Sequence, residues 1–241
     1  MRKIFRFNSG LGSLTCRSGF TLAEVLVTLG IIGVVSAMTI PTLMQNHQRK
    51  VYVTQLHKVY NEFQQAVTLQ ITERNANNIK EAGVRSDAGM KAFLQNQFKI
   101  VKDCTGNPSD CLADSYTNIN GDAVTSYSDT SAPCVLLASG AAICVKYVTG
   151  GCAGDMLIDI NGKQGPNVIG RDLFYTTFDN AGSFGTLCIR QADSDFKQPD
   201  LEDILWENNN TSVQKCQKAR KIGEASWCFK EILNNNWEMD Y

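Results

Sequence analysis

From Val25 to Gln48 the chain runs without a formal charge and is rich in Leu, Ile and Val. About 20 such residues, rising roughly 1.5 Å each as a helix, cover the ~30 Å of a bilayer's hydrocarbon. Yet a carboxylate, Glu24, stands at the mouth of this run, where an unpaired charge is costly to bury. A cleaved secretory signal would need the basic stretch that precedes the run and a small-residue site, weakly offered near Ala37. It would also place Glu24 in the first turns of its apolar core. A single-pass anchor would let Glu24 reach back to the headgroups.

Neither reading explains the pattern around the carboxylate. "GFTLAEVLVTLGIIGVVSAMTIPTL" (19–43) resembles the N-terminus of type IV prepilins and of the pseudopilins of type II secretion. The matching features are a basic leader ending in Gly19, then Phe20, Thr21 and Leu22, with Glu24 fifth after the Gly and Pro41 inside the span. The resemblance implies an inner-membrane prepilin peptidase that cuts between Gly19 and Phe20 and methylates the new amine of Phe20. It further implies a single-pass inner-membrane protein with its globular part outside the cytoplasm, assembling with homologous pilin or pseudopilin subunits into a filament. Cys16 would leave with the leader. Glu24 then acquires a physical role, because Phe20's new cationic amine can be paired by the Glu24 of a neighbouring copy, which fixes register. Gly30, Gly33, Ser36 and Ala37 are small enough for apolar helices to approach closely. Pro41 removes one N–H and predicts a kink or local melting.

The helical pattern continues past Pro41. Tyr52, Leu56, Val59, Phe63, Ala66 and Gln70 step by three or four, with Val67 and Ile71 alongside, which predicts an amphipathic continuation to about Thr72. The breaker run "ERNANN" follows. The domain plan is a basic leader (1–19), an apolar membrane and assembly helix (20–48) and an exported globular domain (49–241). The expected fold is α+β and pilin-like, with a long N-terminal helix packed on a small antiparallel sheet of four or five strands. A second helix should start at Ser86 or Asp87, with Phe93, Leu94, Phe98 and Val101 on its apolar face. Residues 105–132 read as a long exposed loop. "CVLLASGAAICVKYV" reads as a hairpin turning at Ser139-Gly140. "MLIDING" reads as a third strand, and "LFYTTF" with "FGTLCI" as a further pair. The acidic stretch 193–210 reads as a solvated loop with one short turn. Cys228, Ile232 and Leu233 suggest one face of a short last helix.

Cys104, Cys111, Cys134, Cys144, Cys152, Cys188, Cys216 and Cys228 all follow the apolar run. Eight is even, and no pair has the C-x2-C spacing usual at a zinc site, so disulfides in an oxidising compartment are expected. Eight cysteines allow 105 pairings; a Cys216–Cys228 bridge would tie the tail, and Cys134 and Cys144 are placed only roughly opposite each other across the hairpin.

The stretch "DINGKQGPNVIGRDLF" (159–174) offers Asp159, Asn161 and Asp172 as hard oxygen ligands in a Gly-rich loop, the type Ca²⁺ takes. It resembles in part the calcium loop of major pseudopilins. The same residues suit a turn in which Asp and Asn cap their own backbone. No other cofactor is expected. Beyond residue 19 the chain carries 19 bases against 24 acids, so charge makes no case for nucleic acid, although "QKARK" (217–221) is locally basic. His47 and His57 lie nearly three turns apart on one helix and about 80° apart around it, too far to share a metal. With no catalytic motif in the chain, the expectation is a structural subunit of a type IV pilus or a type II secretion pseudopilus, not an enzyme. The alternative is a minor pilin or a membrane-anchored binding or adhesion module.

Overall fold

A computed structural model of the chain describes residues 19–124, 127, 129–149, 152–184 and 211–241. The chain divides into two units, one ending at Asn46 and one running His47–Tyr241. Helix α1 (Leu22–Glu73) passes through both and is unbroken at Pro41. The local melting expected there does not occur. Losing one N–H deletes a single rung, and the rungs on either side keep the turn helical.

In the second unit α1 buries Val53, Leu56, Val59, Phe63, Ala66, Val67 and Gln70, the three-four stripe of an amphipathic helix. Tyr52 and Ile71 are partly buried beside it. Phe63 lies at the centre of the core, its ring 5.8 Å from Phe93, 6.0 Å from Phe98 and 4.9 Å from Phe178. After Glu73, Asn75 takes a left-handed φ of 48°, a conformation Asn tolerates better than most residues. The buried Gln70 amide donates to the carbonyl of Ala82 at 3.0 Å.

Helix α2 (Asp87–Gln97) is capped by Ser86, whose hydroxyl accepts the Gly89 N–H. Met90, Phe93 and Leu94 face the core. Val101 does not share that face. It sits in strand β1 (Ile100–Asp103) and is 67% exposed, because alternation along a strand turns it outward. The segment expected as an exposed loop also differs. It contains a 3-10 turn at Pro108–Asp110 and a two-stranded sheet of β2 (Tyr116–Thr117) and β3 (Ala123–Val124). Cys111, Leu112, Tyr116, Asn118 and Val124 are buried within it.

Among the described residues the main sheet has five antiparallel strands in the order β1-β4-β5-β6-β7, with β4 at Cys134–Leu137, β5 at Ala142–Tyr147, β6 at Cys152–Asp159 and β7 at Leu173–Asp179. The β4–β5 turn falls at Ser139-Gly140, where Gly140 has a φ of 90°. All eight residues of β6 are buried. Gly154 on that strand has no substitute. An added Cβ would meet the Phe178 ring at 2.6 Å and the Lys146 carbonyl at 2.7 Å. Of "FGTLCI" only Phe184 is described, bridged to Phe178. The rest of that strand and residues 193–210 lie outside the described residues.

The tail forms α3 (Ser212–Gln217), started by a Thr211–Gln214 capping box, and α4 (Ala225–Asn234), which buries Ala225, Cys228, Phe229 and Ile232. Leu233 is only partly buried against the core. Three disulfides are described: Cys104–Cys111, Cys134–Cys144 and Cys216–Cys228. Cys134 and Cys144 are direct cross-strand partners, closer in register than their spacing suggested. Cys152 is also disulfide-bonded. Cys188 lies outside the described residues.

Candidate functional site

Gly19 and Phe20 are exposed and precede the first residue of α1, Leu22. Phe20 is 89% exposed. The peptide bond between them therefore lies in open, non-helical chain, the form in which a protease can take it. Thr21 and Glu24 then close a reciprocal cap. The backbone N–H and the hydroxyl of Thr21 each donate to Glu24 Oε2 at 2.9 Å, and the Glu24 N–H donates to Thr21 Oγ1 at 3.2 Å. This is a capping box, which satisfies two of the helix's orphan donors. Sequence reasoning gave Glu24 only an intermolecular partner and missed Thr21, although the T-x-x-E spacing is the usual signal for such a cap.

Beyond this cap Leu26, Val27, Leu29, Ile31, Ile32, Val34 and Leu43 are all exposed. The helix is long and apolar enough to cross a membrane. A Cβ added at Gly30 or Gly33 would meet nothing within 4 Å, so both mark open surface where another helix could approach closely. The two histidines take no part in this segment's chemistry. His57 lies against the Trp237 ring, with centroids 4.2 Å apart.

The second candidate lies where β6 ends and β7 begins. Asp159 is the last residue of β6 and Asp172 immediately precedes β7, and both are fully buried. The Ile160 N–H donates to the Asp172 carbonyl at 2.9 Å and ties the two ends together. Asp159 Oδ2 accepts the Tyr116 hydroxyl at 2.6 Å, and Oδ1 accepts the Asn161 N–H at 3.2 Å. Asp172 accepts the N–H groups of Val168 at 2.7 Å and Asn167 at 2.6 Å, and the Asn161 side-chain amide donates to the Gly165 carbonyl at 3.0 Å. Asp159 and Asp172 thus cap backbone at the two ends of this loop, as a turn requires.

Burial pushes the Asp159 carboxyl up to about 8, Tyr116's hydrogen bond pulls the other way, and the nearby Asp172 adds to the rise. Burial also raises Asp172. The amide oxygens of Asn161 and Asn167 are buried here without a hydrogen-bond partner. Carboxylate and amide oxygens are the donor type that a hard cation takes. However, no group of three or more His, Cys, Asp or Glu is placed to hold a metal among the described residues. Sequence reasoning missed Tyr116 and Asn167. Tyr116 is 43 residues from Asp159, and no local pattern links them.

Residues 14–40 match the family described as the prokaryotic N-terminal methylation motif. The match spans the proposed cut, Glu24 and most of the apolar run. The chain therefore carries the leader of a type IV pilin-like precursor, followed by an α+β domain of pilin-like architecture. The motif and the one helix among the described residues that is long and apolar enough to cross a membrane fit a single-pass membrane-anchored protein. No curated protein and no solved structure matches the chain.

Proposed function

We propose that this chain is a structural subunit of a type IV pilus or a type II secretion pseudopilus. A prepilin peptidase would cut it between Gly19 and Phe20 and methylate the amine of Phe20, and its α1 would then assemble with those of homologous subunits. The observation that carries this is the methylation motif over 14–40 joined to a helix whose first half is apolar and uncovered. On this reading the precursor's Glu24, held by Thr21, exchanges or shares that partner for the Phe20 amine of a neighbour. Glu24 and Pro41 are assembly residues, not catalytic ones. The domain from residue 49 lies outside the cytoplasm, where its disulfides form. Intact-mass analysis of membrane-extracted protein should show loss of residues 1–19 and gain of one methyl group. A chain that begins at Met1, or after Ala37, defeats the proposal. Gly19→Val should block the cut and leave the full-length precursor in the membrane.

We also propose that Asp159 and Asp172, with the amide oxygens of Asn161 and Asn167, hold a calcium ion. Support comes from the two orphaned acceptor oxygens beside a buried carboxylate pair. An ion bound only by the folded form stabilises by about 2.7 kcal/mol at a hundredfold excess over its Kd. The processed protein should melt higher in millimolar calcium than in chelator, and Asp159→Asn should remove the difference. Equal melting in both leaves the cluster as a turn whose carboxylates cap backbone.

A further inference from the structure

Residues 215–230 hold five bases, Lys215, Lys218, Arg220, Lys221 and Lys230, against one acid, Glu224. The remainder of 49–241 holds 14 bases and 22 acids. The lone acid is already engaged: Glu224 Oε2 accepts the backbone N–H of Arg220 at 2.5 Å and of Lys221 at 3.3 Å. The Lys215 ammonium lies 3.9 Å from the centroid of the Trp227 ring, and the Lys230 ammonium 5.4 Å from the same centroid. Lys215 is only 8% exposed. The ion pairs among the described residues join Lys91 to Asp103, Lys102 to Asp110 and Lys146 to Asp129, so Lys215, Lys218, Arg220 and Lys230 are in none of them.

Two ammonium groups on one indole, one of them nine-tenths buried, gain from the ring's negative face. They still repel each other and, among the described residues, lack a counter-ion. An anion brought to the exposed Lys230 ammonium would offset that repulsion. The patch is also rigid. The Cys216–Cys228 bond clamps α3 to α4, and the Thr211 capping box fixes the start of α3.

We infer that this helical pair is a subunit-contact surface, with the exposed Lys218 and Lys230 receiving carboxylates of a second copy of the chain and the buried Lys215 holding Trp227 beside them. The inference rests on the filament function proposed above and names one of its contacts. A second copy is the fitting partner because the chain's own acidic excess is what this patch meets when identical subunits stack. Such a contact joins unlike surfaces, and repetition of a contact between unlike surfaces builds open filaments rather than closed pairs. A nucleic acid could meet the same lysines, but the acidic remainder of the domain would repel it.

The test uses the full chain in cells that assemble it, with the double variant Lys218→Glu/Lys230→Glu beside Lys218→Gln/Lys230→Gln. Both positions are exposed, so melting should match the wild type, as should the amount of chain starting at Phe20. Sheared filament should fall at least tenfold for the Glu pair and by less for the Gln pair. Wild-type filaments should also shed subunits as salt rises. Filament yield within twofold of wild type for the Glu pair overturns the inference. So does normal assembly accompanied by loss of duplex-DNA retention, which would assign the patch to nucleic acid. A wild-type chain that stays uncut and gives no filament overturns the underlying reading and this contact with it.

Discussion

The two halves of α1 share one backbone geometry and little else. Before Asn46, Leu26 and Ile32 are each 61% exposed and Leu43 is 70% exposed, whereas beyond His47 both Leu56 and Phe63 are at 0%. The first half is apolar all round and the second along one stripe. A helix apolar all round has no side to give to water, so its partner must come from outside the chain. A striped helix finds its partner in the sheet it covers. The difference teaches that one helix can have two separate clients, and that its residues should fail in two separate assays.

The sharpest break in that comparison is Glu24→Ala. Membrane insertion and cleavage should persist, because they depend on the apolar run and on Gly19, while the sheared filament fraction should disappear. The variant also loses the reciprocal cap with Thr21, so Thr21→Val, which keeps the carboxylate, separates capping from pairing. Normal filament from Glu24→Ala removes the case for pairing.

In the other half, Phe63→Ala should cost about 3–5 kcal/mol of domain stability, as large buried truncations do, measured by denaturant unfolding of the detergent-extracted chain. Leu29→Ala in the same protein should leave that unfolding curve unmoved. If both variants shift it equally, the halves are not independent. Replacing Cys134 and Cys144 together by Ala should cost roughly 2–4 kcal/mol and again spare the first half.

The smallest effect comes from charge at the sheet edge. The Lys91 ammonium, 2.8 Å from Asp103, and the Thr105 backbone N–H, which donates to Asp103 Oδ1 at 3.0 Å, hold the Asp103 carboxyl at about 2. A folded value below the unfolded one means the contribution is whole above about pH 4 and is lost as pH falls through 2. Both side chains are more than a third exposed, so solvent screening keeps the contribution below about 1 kcal/mol. Asp103→Asn should flatten that part of the stability–pH curve and lower stability at neutral pH by no more than this amount.

What could be read from the sequence was what repeats locally. The stripe from Leu56 to Gln70, the Ser86 cap and the turn at Gly140 each follow from spacing within a few residues, and the structure has them. Val101 was misassigned because a four-residue strand and the end of a helical stripe look alike over so short a run. Residues 105–132 looked like surface because they are polar. Cys111, Leu112 and Tyr116 are nonetheless buried, and Tyr116 reaches Asp159, 43 residues away, a contact that no local pattern encodes. At the candidate sites, Glu24 could be read from its motif, and the backbone capping by Asp159 and Asp172 from the turn-rich loop between them. Tyr116 and the lysine pair on Trp227 could not be, since each depends on how distant segments pack.

The three described disulfides join cysteines only 7, 10 and 12 residues apart. A chain leaving any pore N-terminus first presents each second cysteine about a dozen residues or fewer after its partner. Closing so short a loop costs little entropy, so each bond can form before the next pair has emerged. Oxidation can then keep pace with emergence, pair by pair. That leaves few half-made bonds for a wrong cysteine to capture, and a disulfide oxidant, itself reduced to the dithiol as each bond forms, should finish these three with little need for an isomerase to reshuffle them.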